Sequence, residues 1–184
     1  MGLLAERHRP LRRVEYERMI DAGLFRDERV ELIRGVIVQM SPQNAPHSAA
    51  IQMLNRLLTP ALVGRADVRI QLPLATGADS LPEPDLALVP PGYYAQAHPS
   101  EAYLVIEVAD SSLEVDRHEK GHLYAEAGVP EYWVVNLRDR VIEVHTEPLK
   151  GEYTRVTPYR SGESARPHAY VDVTIDVSAV FGLG

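Results

Sequence analysis

The chain has 184 residues, with 26 Asp and Glu against 19 Lys and Arg, a formal charge of −7, and no Cys. At roughly 100–200 residues per domain this is the length of one domain, and 45% apolar with 24% charged residues is globular composition, which excludes a disordered or fibrous chain. The absence of Cys excludes thiol redox chemistry, disulfide scaffolding and cysteine-based zinc sites, while the net negative charge argues against a protein that coats DNA by neutralising many phosphates.

The N-terminus carries a basic patch, Arg7, His8, Arg9, Arg12 and Arg13, most simply read as a solvated arm. It holds no apolar signal core, and no apolar run approaches the roughly 18 residues that cross a bilayer; a cytoplasmic chain with no membrane partner is expected. Residues 14–22 form a short helix closed by Gly23. Two extended runs around Gly35 make residues 28–40 a hairpin, and 41–46 is a loop. Ile51, Leu54, Leu57 and Leu58 recur at helical spacing after His47, with Pro60 ending that helix. Strands follow at 67–74, 85–89 and 102–109. Residues 114–127 read as a helix, with Ser111-Ser112 at its cap, Gly128 at the left-handed C-cap position and Pro130 beyond. A buried strand spans 131–137, an antiparallel meander 140–146 and 152–157, and a last strand 169–175. The run 103–109 is apolar on both faces except for one charge, as in a central strand covered on both sides. The fold class is therefore α/β or α+β, a mixed sheet flanked by helices with a C-terminal antiparallel β extension.

That one charge is Glu107. A carboxylate in a covered strand costs several kcal/mol unless it is paired or binds a metal. Asp85 opens the strand 85–89, and an Asp there is often just a turn residue. If the two strands are neighbours, Asp85 and Glu107 lie side by side on one face. A hard divalent cation such as Mg²⁺ resolves their repulsion, because it is held by one or two carboxylates plus water and phosphate oxygens. Lys120 shares the sheet-facing side of its helix with Leu123, Tyr124 and Ala127. The bland alternative is a snorkelling side chain. Yet this chain has 17 Arg and only 2 Lys, and a Lys at this spot suits a role for a compact ammonium. Two carboxylates and one inward Lys are the parts for metal-assisted phosphodiester hydrolysis: the Lys steadies the attacking hydroxide or the developing negative charge.

The stretches Pro84-Asp85-Leu-Ala-Leu-Val, Val105-Ile-Glu107-Val108, Asp116-Arg-His-Glu119-Lys120 and Tyr124-Ala-Glu-Ala-Gly128-Val-Pro-Glu131-Tyr-Trp133-Val-Val resemble the Uma family of restriction endonucleases, which has the PD-(D/E)XK nuclease fold. Glu31-Leu-Ile-Arg-Gly35, Met40-Ser-Pro42 and His47-Ser48 are similar to its N-terminal signatures, and the resemblance covers roughly residues 14–157. It implies Asp85 and Glu107 as metal ligands, with the Val108 carbonyl a third and Mg²⁺ or Mn²⁺ as the ion. It also implies that Glu31 assists by orienting a metal-bound water. The general pattern places a Lys two residues after the second acid, where this chain has Ala109; in the Uma family it moves to the following helix, matching Lys120. The division expected is one domain over 1–184, with a helical arm at 1–27, a nuclease-like core at about 28–137 and the β extension at 138–184.

His47 is a candidate substrate contact, against a capping or packing role. His118 and His122 stand four apart but lack partners for a zinc site. Tyr93-Tyr94 offers base stacking or simple turn filling. DNA is the expected substrate, and cutting both strands with one site per chain requires a homodimer or a higher even homo-oligomer. The rival reading is a catalytically silent nucleic-acid-binding or assembly module, in which Glu107 and Lys120 are a buried ion pair. A two-carboxylate glycosidase is disfavoured, since one Trp and two Phe build no aromatic sugar cleft.

Overall fold

The computed structural model describes residues 9–183. Arg7 and His8 of the basic patch lie outside them. Arg9 binds Glu15 at 2.8 Å and Arg13 lies 3.8 Å from Glu17, so this part of the patch is internally neutralised.

Helix α1 (Arg13–Asp21) leads into hairpin β1 (Val30–Ile33) and β2 (Val36–Gln39). Arg34 and Gly35 both have positive φ, 49° and 75°, the two-residue turn whose twist matches a hairpin. Gly35 is required there: a Cβ would meet that of Pro10 at 2.3 Å. Alternation along β1 sends Val30 and Leu32 into a small core with Tyr16 and Leu81, and turns Glu31 the other way.

Helix α2 (Ala45–Ala61) starts with Asn44 as its cap, whose side chain accepts the His47 N–H at 3.0 Å. Contrary to expectation, Pro60 does not stop the helix, which runs one residue further. In the last turn a proline forfeits a single backbone bond, and Leu54, Leu58 and Leu62 beneath it are fully buried.

Six strands form one mixed sheet in the order β3 (Asp67–Ile70), β4 (Leu86–Val89), β5 (Leu104–Ala109), β6 (Glu131–Asn136), β7 (Val141–Leu149) and β8 (Glu152–Tyr159). Only the β5–β6 pair is parallel. β3 ends at Ile70, short of the expected 74, because Gln71 takes a positive φ of 50° and Pro73 cannot donate to a ladder. The expected meander continues this sheet as β7 and β8.

The β5–β6 crossover is α3 (Leu113–Val115), a π-helical turn Asp116–Lys120, and α4 (Gly121–Glu126). The expected uninterrupted helix is thus one register out in its middle: the Gly121 N–H reaches back five residues to the Asp116 carbonyl, which also accepts the Tyr132 hydroxyl at 2.9 Å. Gly128 caps the end at φ 77°, as its position predicts. Ser112 holds the N-cap position, yet its hydroxyl bonds the Asp116 carboxylate rather than capping the backbone.

The expected strand at 169–175 does not form. Pro167 instead leads into a 3₁₀ turn (His168–Tyr170), and a two-residue pair, β9 (Ser164–Ala165) with β10 (Ile175–Asp176), precedes α5 (Val177–Val180). Tyr170, Val173, Ile175 and Val177 drop separately into the core that α2 makes on one face of the sheet. Trp133 lies fully buried in that core, where truncation to Ala typically costs about 3–5 kcal/mol. The other face carries Val105, Ala109, Tyr132 and Val134 under Tyr124 of α4. Glu107 points into this second face, among aromatic rings.

Candidate active site

Antiparallel register sets the first contact. Leu86 stands opposite Ile106 and Ala87 opposite Val105, so the next position along places Asp85 opposite Glu107, with both side chains on one face. The Asp85 N–H lies 3.4 Å from Glu107 Oε2, and Asp85 Oδ2 accepts the Val108 N–H at 2.8 Å. Both acids are buried, at 7% and 3% exposure.

The π turn supplies Lys120. Its ammonium lies 3.0 Å from Glu107 Oε1 and 3.4 Å from Glu31 Oε1, the latter delivered by β1. Glu31 Oε2 accepts the Glu83 N–H at 3.0 Å, which fixes that carboxylate from behind. Tyr124 donates to Glu107 Oε1 at 2.8 Å. Glu107 Oε1 is therefore doubly engaged, and Oε2 has one long contact. His47 reaches in from α2, with Nε2 3.1 Å from Asp85 Oδ2. All five side chains singled out in the sequence, Glu31, His47, Asp85, Glu107 and Lys120, thus meet in one cleft of about 400 Å³. Val108 also lines it, bonded to Asp85 through its N–H, while its carbonyl faces the His47 ring.

Three residues at the cleft had no assigned role in the sequence, two of them in its lining and Gln71 behind Asp85. Asp116 is 3% exposed and faces Lys120 from the same π turn. Glu83 is half-buried beside Glu31, and Gln71 donates to Asp85 Oδ1 at 3.3 Å. The four-residue spacing of Asp116 and Lys120 was a visible signal for the first; the others depend on loop paths that periodicity does not encode.

Charge in the cleft is unbalanced. Glu31, Glu83, Asp85, Glu107, Asp110 and Asp116 line it, against Arg29, Lys120 and His47. Burial pushes the Glu107 carboxyl up to about 8, with Lys120 opposing and the neighbouring acids adding to the rise. Burial likewise raises Asp116 and Glu83. Burial alone would lower Lys120, but Glu107, Glu31 and Asp116 more than reverse that, so its ammonium stays charged. One ammonium shared by several carboxylates leaves excess negative charge, the condition a divalent cation relieves. Among the described residues no three His, Asp or Glu side chains already converge as a coordination shell. The donors fit a hard ion of the Mg²⁺ type all the same, since such an ion takes one or two carboxylates and keeps its waters. Asp85, Glu107 through Oε2 and the Val108 carbonyl are the oxygens that could hold it.

A larger cavity, about 920 Å³, lies on the outer side of α4 against β7 and β8. There Arg117 binds Glu143 at 3.0 Å through Nε, Asn136 supports the same carboxylate, and His145 is buried beside Tyr132 and Tyr153. Its buried acid already has a cation, and it gathers no set of groups for hydrolysis. His118 pairs with Glu114 and His122 with the Gly151 carbonyl, so the two do not form a metal site. Tyr94 bonds the Pro90 carbonyl beneath Arg69, which is turn filling; Tyr93 is exposed.

Similarity to known proteins agrees with this fold. A crystal structure of a "putative nuclease belonging to DUF820" from Anabaena variabilis ATCC 29413 superposes with a TM-score of 0.68 at 16% identity, covering 89% of this chain and 97% of that one. That likeness establishes a nuclease-like fold. No curated protein matches the chain. Among the described residues no helix is long and apolar enough to cross a membrane. The sequence profile of Uma2, described as "Putative restriction endonuclease", matches residues 13–178, and the chain belongs to that family, which supports a nuclease function.

Proposed function

We propose that the protein is a metal-dependent endonuclease that hydrolyses phosphodiester bonds in DNA. The observation that carries this reading is the Lys120 ammonium held between Glu107 and Glu31, one strand away from a second buried acid, Asp85. Asp85, Glu107 and the Val108 carbonyl would hold Mg²⁺ or Mn²⁺, which when bound polarises the phosphate and lowers the pKa of a coordinated water. Lys120 orients the attacking oxygen and offsets charge developing on the phosphate. Glu31 holds Lys120 in place and accepts a hydrogen bond from the attacking water. Asp116, from the same turn as Lys120, adds to the field that keeps the ammonium charged. Cleavage of both strands by one site per chain calls for a homodimer or a higher even assembly in the cytoplasm.

The rival, a silent nucleic-acid-binding module, explains the Glu107–Lys120 pair as structural. It gives no reason for a surplus of buried carboxylates around that pair. The deciding assay is cleavage of supercoiled plasmid and of single strands with Mg²⁺, Mn²⁺ or EDTA, comparing wild type with Asp85→Ala purified in parallel. Metal-dependent cutting absent from the variant is expected. Equal cutting by the variant overturns the site. No cutting by wild type, with no metal-induced rise in melting temperature, overturns the enzyme.

A further inference from the structure

His47 is built into the cleft more firmly than a substrate contact needs to be. It lies in the first turn of α2, where Asn44 accepts its N–H at 3.0 Å. The same Asn44 side chain donates to Asp110 Oδ2 at 2.8 Å, immediately after β5. The start of α2 is thereby tied to the end of the strand that carries Glu107 and Val108. The imidazole is only 17% exposed, so a nucleic acid lying over the cleft has little of it to touch. Nε2 instead faces Asp85 Oδ2 at 3.1 Å, with the Val108 carbonyl beside the ring. Those are two of the donors assigned to the metal. The other nitrogen, Nδ1, is buried with no hydrogen-bond partner among the described residues. An ion bound at Nε2 would take the place of the proton that the ring shares with Asp85.

We propose that His47 is itself a metal ligand, binding through Nε2 alongside Asp85 and Glu107, and that it biases the site toward Mn²⁺ over Mg²⁺. This rests on the metal-site reading above and deepens it. The chemistry follows from the donor type. Mg²⁺ seeks oxygen and gives up its water reluctantly. An imidazole nitrogen is a softer donor, and affinity at a nitrogen-containing site rises along the first transition row. Replacing one oxygen donor by this nitrogen therefore penalises Mg²⁺ selectively. His47 then acts on metal choice and not on recognition of the DNA.

The test is metal binding, measured apart from turnover. Calorimetric titration with Mn²⁺ and with Mg²⁺ is run on wild type, His47→Ala and Asp85→Ala. Electron spin-echo spectra of bound Mn²⁺ on the same proteins report a directly coordinated ¹⁴N. Wild type should show the nitrogen signal and bind Mn²⁺ more tightly; His47→Ala should lose the signal and about tenfold or more of the Mn²⁺ affinity, with Mg²⁺ affinity changed by less than about threefold. Mn²⁺ bound by wild type without a nitrogen signal overturns the His47 assignment while leaving the metal site standing. So does a His47→Ala protein with an unchanged Mn²⁺-to-Mg²⁺ ratio and a raised KM for DNA, which returns His47 to substrate contact. Metal binding that is absent from wild type, or untouched in Asp85→Ala, overturns the metal-site reading itself. The wild-type spectrum needs no variant to fold.

Discussion

The molecule holds two buried polar clusters on either side of one helical segment, and they are built on opposite plans. On the outer side, Glu143 receives Arg117 and Asn136, and burial lowers His145 so that it rests neutral. Each charge there has its partner, and hydrogen bonding to Arg117 and Asn136 holds Glu143 below the usual carboxylate range despite burial. On the inner side, Glu31, Asp85, Glu107 and Asp116 crowd around Lys120, and Glu107 and Asp116 are pushed up rather than down. A balanced cluster stabilises the fold; an unbalanced one is held in place by the rest of the fold. Strain of that kind is retained where it serves function.

The sharpest way to break this comparison is by activity. Asp85→Asn should reduce metal-dependent plasmid cleavage by about a thousandfold or more, whereas Glu143→Gln should leave it within about twofold under the same assay. Next in size, Lys120→Met should cost roughly 10²–10³ in rate. Lys120→Arg should fail to restore it, because a planar guanidinium does not match a compact ammonium shared by two carboxylates; single-turnover kinetics at saturating metal check both.

Stability should then move in opposite directions. In metal-free protein, Asp116→Asn removes a surplus charge and should gain about 1 kcal/mol. Glu143→Ala leaves Arg117 only the exposed Glu114 as a partner and should lose about 1–2 kcal/mol, a value discounted for the partial exposure of Arg117. Urea unfolding of both variants in EDTA decides, and a shared sign would remove the distinction. The smallest effect concerns pH. His145 has its pKa depressed by burial, so the unfolded chain takes up a proton more readily than the folded one. Stability is therefore lost as pH falls through about 6.5 toward the lowered folded value. His145→Gln should flatten the melting-temperature profile between pH 7 and 5, and an unaltered slope would show that this histidine does not titrate in that window.

Much of the site was legible because it sits on regular structure. A run apolar on both faces at 103–109 exposed Glu107 as an anomaly, and assuming the strand 85–89 as its neighbour was enough to put Asp85 beside it. Helical spacing turned Lys120 inward toward Tyr124. The parts that escaped lie where the chain leaves regular geometry. Gln71 reaches Asp85 only because β3 breaks at a left-handed residue, and Glu83 is placed by the path between two prolines. Nothing in the spacing announced that the 114–127 helix carries a π turn, since the same apolar pattern tolerates either register. The C-terminal segment misled for another reason: Val171, Val173 and Ile175 alternate like a strand, but only Ile175 finds a ladder partner, Ala165, Val171 is exposed, and Tyr170 and Val173 are buried by their own contacts with the α2 core.

The π turn amounts to a helix with one residue too many. At 3.6 residues per turn, deleting that residue would rotate everything on one side of it by about 100° relative to the other. The downstream half is anchored by Tyr124 on Glu107, the upstream half by Ser112 on Asp116 and Leu113 in the core. A shortened segment would gain an ideal helix and would have to turn either Asp116 or Lys120 out of the cleft. The length of this segment is consequently as much a part of the site as the side chains it carries, and relatives are expected to vary its sequence more freely than its residue count.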